Sequence, residues 1–240
     1  MPHCFISDLH LQEDRPDITQ AFLSFLEETA SKADKLYILG DLFEAWIGDD
    51  DQNDFISEIQ KALIKINKTT EIFFMHGNRD FLIGAEFASS SGMKILNDPI
   101  TEEMFGNLVL LMHGDLLCID DIEYQRFRKI SRSPEWQKEF LSKSLDERRK
   151  VAQELRHASK EATVKKEEEI MDVSNSEVIK AIKQSSVDIL IHGHTHRPES
   201  HHIEIENHSA KRLVLGDWDK YGWYIWMDSS SCELNKFSIS

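Results

Sequence analysis

Short, unbroken apolar runs alternate in the first half of the chain with stretches where apolar residues recur every three or four positions. Cys4, Phe5 and Ile6 make the first run. Leu36, Tyr37, Ile38 and Leu39 make the second, Ile72, Phe73, Phe74 and Met75 the third, and 108–112 the fourth. Runs of this length without polar alternation read as strands buried on both faces. Between them, Ile18, Phe22, Leu23, Phe25, Leu26 and Ala30 keep a helical spacing, as do Phe55, Ile59, Leu63 and Ile66. A third helix is expected over 81–91, stopped by Gly92. Strand, helix, strand, helix in this order predicts an α/β architecture.

The rhythm breaks near residue 120. From 120 to 172 no strand-like run occurs; the stretch is charged and helical, with Tyr124, Phe127, Trp136, Phe140, Leu141, Leu145, Val151 and Leu155 as its apolar positions. A helix over 177–185 and a strand over 187–191 follow, and then four strand-like segments at 201–206, 211–215, 221–227 and 232–239. The expected organisation is a core of 1–119 and 173–240 interrupted by a helical insertion at 120–172.

Composition narrows the function classes. Of 240 residues 40% are hydrophobic, which supports a core of domain size, and the formal net charge of -15 disfavours general nucleic-acid binding, since a phosphate backbone needs a basic face. The cysteines are Cys4, Cys118 and Cys232, odd in number and far apart. That spacing argues against a disulfide framework or a zinc knuckle. No signal-peptide pattern and no apolar run of spanning length occur. A cytoplasmic protein is expected, free to touch a membrane peripherally.

The candidate chemistry sits where the apolar runs end. Asp8 and His10 follow the first run, Asp41 the second, Asn78 the third, His113 the fourth, and His194 and His196 the strand at 187–191. If the chain continues extended there, each i, i+2 pair points to one face and can grip one ion. Carboxylates, imidazoles and an amide oxygen suit manganese, iron or zinc better than calcium, and the lack of thiolates argues against structural zinc. Seven such ligands suit two ions, with Asp41 able to bridge them. Two ions roughly 3.5–4 Å apart make a clamp for phosphoryl chemistry. Arg79 beside them offers a guanidinium fork for phosphate; a salt bridge to Asp80 is its alternative use. His76 and His192, which precede glycines, read as structural, and His3, His157, His201, His202 and His208 as ordinary histidines.

The order Asp8-Leu9-His10, Gly40-Asp41, Gly77-Asn78, His113-Gly114 and Gly193-His194-Thr195-His196 resembles the calcineurin-like metallophosphoesterases. The resemblance implies a double β-sandwich flanked by helices, with two metals at the strand ends. By that pattern Asp8, His10, Asp41 and His196 hold one ion, and Asp41, Asn78, His113 and His194 the other. Most of the superfamily has histidine where this chain has Arg79. Longer stretches, among them 37–51, 76–82, 112–115, 159–162, 170–173 and 191–198, are similar to one branch that carries arginine there, the UDP-2,3-diacylglucosamine hydrolases. This likeness implies manganese-dependent cleavage of the diphosphate of UDP-2,3-diacylglucosamine in lipid A biosynthesis, giving UMP and 2,3-diacylglucosamine 1-phosphate. It implies attack on the phosphorus next to uridine by a dimetal-bound hydroxide. It assigns catalysis to Arg79, Asp41 and His113. Substrate contacts fall to Asn78, Arg79, Asp121, Ser159, Thr163, Lys166 and His194. At Thr163 the branch commonly has asparagine, so one hydroxyl replaces an amide. It also implies a monomer on the cytoplasmic side of the inner membrane.

Residues 122–166 hold 13 Lys+Arg against 7 Asp+Glu, in a chain of net charge -15. A helical lid is therefore expected, its apolar face holding acyl chains and its cations facing phosphate or anionic lipid; a plain helical hairpin packed on the core is the other reading. The rival functions are a soluble phosphodiesterase or nucleotide pyrophosphatase using the same ions, and a non-catalytic scaffold of the same fold. None of the seven ligand positions is eroded, as a scaffold would predict.

Overall fold

The computed structural model describes residues 2–165, 172–205 and 208–239, with the backbone alone for 158–165 and 208. In chain order the strands are β1 (His3–Ile6), β2 (Lys35–Ile38), β3 (Glu71–Met75), β4 (Met93–Leu96), β5 (Ile100–Met104), β6 (Asn107–Leu111), β7 (Ile189–His192), β8 (Glu199–Ile205), β9 (His208–Val214), β10 (Tyr221–Met227) and β11 (Cys232–Ser238). The helices are α1 (Pro16–Glu28), α2 (Asp54–Ile66), α3 (Ala85–Ser91), α4 (Ile122–Ser131), α5 (Pro134–Leu141), α6 (Leu145–Lys165) and α7 (Asn175–Ser185). No helix among the described residues is long and apolar enough to cross a membrane.

Two sheets face each other. One has the order β11-β10-β1-β2-β3-β4 and the other β5-β6-β7-β9-β8. Strands β1 to β4 run parallel, as do β6, β7 and β9. Because side chains alternate across a strand, each apolar run feeds two cores. Phe5, Tyr37, Met75 and Ile225 from the first sheet meet Val109, Leu111, Ile191 and Leu213 from the second in the central layer. Cys4, Ile6, Leu36, Ile38 and Phe74 point outward under α1, α2 and α3. On the far side, Leu110 and Leu190 pack with Val178 and Ile182 of α7. The result is the helix-flanked double β-sandwich expected from the sequence.

The departures from the periodicity are local. Helix α3 begins at Ala85 instead of residue 81, because 81–84 form a turn; the amides of Gly84 and of Phe87 in the helix's first turn donate to the carboxylate of Asp49. The run at 108–112 is the sixth strand and not the fourth, since β4 and β5 precede it. Strand β5 alternates partly and fully exposed positions up to Met104, and β4 exposes its two central residues. Neither could show an unbroken apolar run.

The segment after residue 120 folds as three helices. Asp121 accepts the Tyr124 amide at the start of α4, and Ser133 the Trp136 amide at the start of α5. Phe140 is buried in the same core as α2 and α3, with Trp136, Leu145, Val151 and Ala152 packed against it.

Candidate active site

Five parallel strands deliver the polar cluster. Asp8 and His10 leave β1, Asp41 leaves β2, Asn78 leaves β3, His113 leaves β6, and His194 and His196 leave β7. All stand beyond carboxyl ends, where open α/β sheets place ligands. The loops after β1 and β2 are zipped by backbone bonds: Asp8 N donates to Gly40 O, His10 N to Asp41 O and Leu11 N to Leu42 O, at 2.9–3.0 Å. Two glycines permit the closeness. A Cβ on Gly77 would lie 2.1 Å from Asp41 Oδ1, and one on Gly193 would lie 2.2 Å from both Asp8 Oδ2 and Ser7 Oγ.

The chain after β1 and β7 is not extended, so the reason first offered for the i, i+2 pairs fails. Asp8, His10, Asp41, His194 and His196 have φ of 55, 51, 54, 69 and 55°, and only two other non-glycine residues among those described, Phe105 and Ser186, have positive φ. Left-handed backbone costs a residue with a Cβ roughly 1 kcal/mol or more. Its concentration at one cluster is the signature of a functional constraint. The second pair also splits: His194 Nδ1 lies 2.8 Å from Asn78 Oδ1, whereas His196 Nε2 lies 3.5 Å from Asp8 Oδ1 and 3.3 Å from His10 Nε2.

Two trios bring ligand atoms within 4.8 Å of one another, Asp8–His10–His196 and Asp8–Asp41–His113. Asp41 stands between the groups, Oδ2 3.9 Å from His10 Nε2 and Oδ1 3.9 Å from His113 Nε2. The arrangement fits cations on three grounds. Asp8 Oδ1 is buried with no hydrogen-bond partner among the described residues. His113 Nδ1 donates to Leu39 O at 2.9 Å, which leaves Nε2 of a neutral ring facing Asn78 Oδ1 at 3.0 Å. Two lone pairs at that distance need a proton or a metal ion between them. Finally, burial disfavours charge on His113, yet Asp41, Asp115, Asp8 and Asp98 outweigh it and lift its pKa to about 9. Burial likewise opposes charge on His196, and the Asp8 carboxylate 3.5 Å away, with Asp217 and Asp41, raises it to about 9. The carboxylates favour positive charge at these two rings, whereas burial and the neighbouring His113 push His194 down to about 4.

Arg79 borders this cluster. Its amide donates to Asp41 Oδ1 at 2.8 Å, and its Nε has no hydrogen-bond partner among the described residues. Asp80 is not its salt-bridge mate: the buried Asp80 carboxylate accepts the amides of Gly77, Asp41 and Leu42 instead and ties the β2 and β3 loops together. His76 Nε2 donates to Ile83 O, the structural use expected of it.

Above the cluster lies a cavity of about 580 Å³. His10, Asp41, Asn78, Arg79, Asp121, His194 and His196 line it, and Phe127, Trp136, Phe140 and Leu155 from the helical segment form an apolar wall. Asp8 and His113 lie beneath with no exposure. Ser159 and Thr163 fall on α6, their side chains outside the described residues, and Lys166 lies outside them altogether.

Several participants carried no sequence signal. Asp115, buried beside the cluster, accepts the Tyr124 hydroxyl at 2.5 Å and Arg128 Nε at 2.7 Å. Arg132 donates to Gly77 O at 2.8 Å. Glu44 lies 2.8 Å from His10 Nδ1 and is ion-paired with Arg156. Arg148, only 3% exposed, donates to Ile47 O and to Asp50, and Arg149 to Asp51. These basic residues of the insertion are thus paired with groups of the core, and Arg156 also lines the cavity. Pairing across distant loops leaves no mark on sequence spacing.

The chain matches the calcineurin-like phosphoesterase family over residues 1–198. A UDP-2,3-diacylglucosamine hydrolase of Marinobacter nauticus is 48% identical, covering 96% of this chain and 94% of the relative. One from Azotobacter vinelandii is 47% identical over the whole of both chains, and one from Pseudomonas paraeruginosa is 48% identical over 98% of each.

Proposed function

The chain belongs to the calcineurin-like phosphoesterase family, and we propose that it hydrolyses the diphosphate of UDP-2,3-diacylglucosamine to UMP and 2,3-diacylglucosamine 1-phosphate. The observation that carries this reading is the cavity in which one wall is the ligand cluster with Arg79 and the other is apolar. A soluble diester has no use for the second wall. Full-length relatives at 47–48% identity bear the name of that activity.

In this reading Asp8, His10, Asp41 and His196 hold one divalent ion and Asp41, Asn78, His113 and His194 the other, with Mn2+ the favoured metal. Such a pair activates a water and neutralises phosphate oxygens. The protein's own contribution is positional. Arg79 aims a guanidinium fork with a free Nε at the charge that develops on phosphorus. The Asp41 carboxylate, held by the Arg79 amide, fixes the spacing of the two ligand sets, and Leu39 O fixes the His113 ring so that Nε2 faces the cluster. Asn78, Asp121, Ser159, Thr163, Lys166 and His194 contact the substrate. Residues 120–172 act as a lid whose Phe127, Trp136 and Leu155 receive acyl chains. The enzyme works as a monomer at the cytoplasmic face of the inner membrane, reaching its lipid substrate peripherally.

The test is an assay of purified protein with Mn2+ on diacylated UDP-glucosamine and on a soluble phosphodiester, beside an Asp8→Ala control. Preferential turnover of the lipid, abolished by Asp8→Ala, is expected. Turnover of the soluble diester alone would leave a general phosphodiesterase, and full activity in the control would overturn the metal assignment.

A further inference from the structure

Glu44 joins the helical segment to the metal cluster. One of its carboxylate oxygens lies 2.8 Å from His10 Nδ1, and the other accepts from Arg156 Nη2 of α6. The Glu44 side chain is 13% exposed and that of Arg156 30%, so both partners are held mostly away from water. Two turns earlier on the same helix, Arg148 grips Ile47 O and Asp50, and Arg149 grips Asp51. Helix α6 is therefore fastened at three points to the loop after β2, the loop that also carries Asp41.

We infer that Glu44 is a positioning residue that fixes the orientation of His10, and that Arg156 makes this depend on the seating of α6. The inference rests on the reading of His10 as a metal ligand. A carboxylate 2.8 Å from one ring nitrogen holds the ring at one angle and favours the tautomer whose lone pair lies on Nε2. Here that lone pair faces Asp41 Oδ2 and the His196 ring. Arg156 occupies the second Glu44 oxygen, which keeps the carboxylate from turning away from His10. Arg156 also lines the cavity. A ligand that shifts Arg156 must then change metal affinity, and by linkage metal must change the affinity for that ligand.

The experiment measures Mn2+ affinity and stoichiometry by calorimetry on metal-stripped full-length protein, with circular dichroism as the check of folding. Wild type, Glu44→Ala, Glu44→Gln and Arg156→Ala are compared. Glu44→Ala is expected to weaken one of two ions by about 10–100-fold, the usual effect of losing a ligand's hydrogen-bond partner, while the other ion binds as before. Glu44→Gln, nearly isosteric and still presenting an oxygen to Nδ1, recovers part of the loss. Arg156→Ala weakens the same ion by a smaller factor. Turnover lost in the Glu44 variants returns with excess Mn2+, which separates weak metal binding from a failed chemical step. Unchanged affinity in folded Glu44→Ala or Glu44→Gln would overturn the positioning role, and unchanged affinity in Arg156→Ala would overturn the link to α6. If wild type binds no Mn2+, the metal reading itself fails, an outcome distinct from either.

Discussion

The strand-end cluster and the helical segment opposite it share one cavity and are built by different physics. Asp8, Asp41 and His113 are almost wholly buried, their backbones pinned by zipped loops and by the amides that Asp80 collects. Helices α4 and α5 bury far less of themselves: Ser131 is the only buried residue of α4, Phe140 the only one of α5. They reach the core through Arg128, Arg132, Arg148, Arg149 and Arg156. Packed sheets fix reacting groups to a fraction of an ångström because every displacement opens a void. Ion-paired helices fix only what surface fits beside those groups. In the proposed reading, reaction type belongs to one wall and substrate choice to the other.

The largest expected effect tests the first wall. Arg79→Ala should lower kcat by about 10²–10³-fold, the range for removing one donor aimed at transition-state charge, with Mn2+ content unchanged by elemental analysis. Metal loss along with activity would place Arg79 in the scaffold of the cluster and erase its separate role.

A change in the second wall should discriminate between substrates. Trp136 stacks on Phe140 with ring centroids 5.0 Å apart and lies 6.1 Å from Phe81. Because Phe140 also belongs to the main core, Trp136 is the cleaner probe. Trp136→Ser should lower kcat/KM for a diacylated UDP-sugar by about 10–100-fold, as expected for losing roughly 1.5–3 kcal/mol of apolar contact. A deacylated analogue should be unaffected, and equal losses on both would mean that the apolar wall does not hold acyl chains.

The smallest effect concerns how the two walls are joined. Arg149, whose side chain is 49% exposed, pairs with Asp51. Arg149→Ala should change unfolding free energy in urea by no more than about 1 kcal/mol, as for other exposed pairs. A larger loss would mean that the surface pairs, and not Phe140 and its neighbours, hold the helices in place.

Much of this protein was legible in its sequence because the signals were local. Apolar runs such as 36–39 and 72–75 marked the buried strands, and the polar residues just past them marked the site, since a strand buried on both faces must hand its chain to a loop at its end. Strands β4 and β5 were not legible: edge strands are half exposed and carry no unbroken apolar run. The tertiary structure alone decided the left-handed backbone at Asp8, His10, Asp41, His194 and His196. It alone brought Glu44 of one loop between His10 and Arg156 of a helix 112 residues further on. Such contacts depend on how two sheets and an inserted segment close on each other, and spacing along a chain does not encode distance across a cavity.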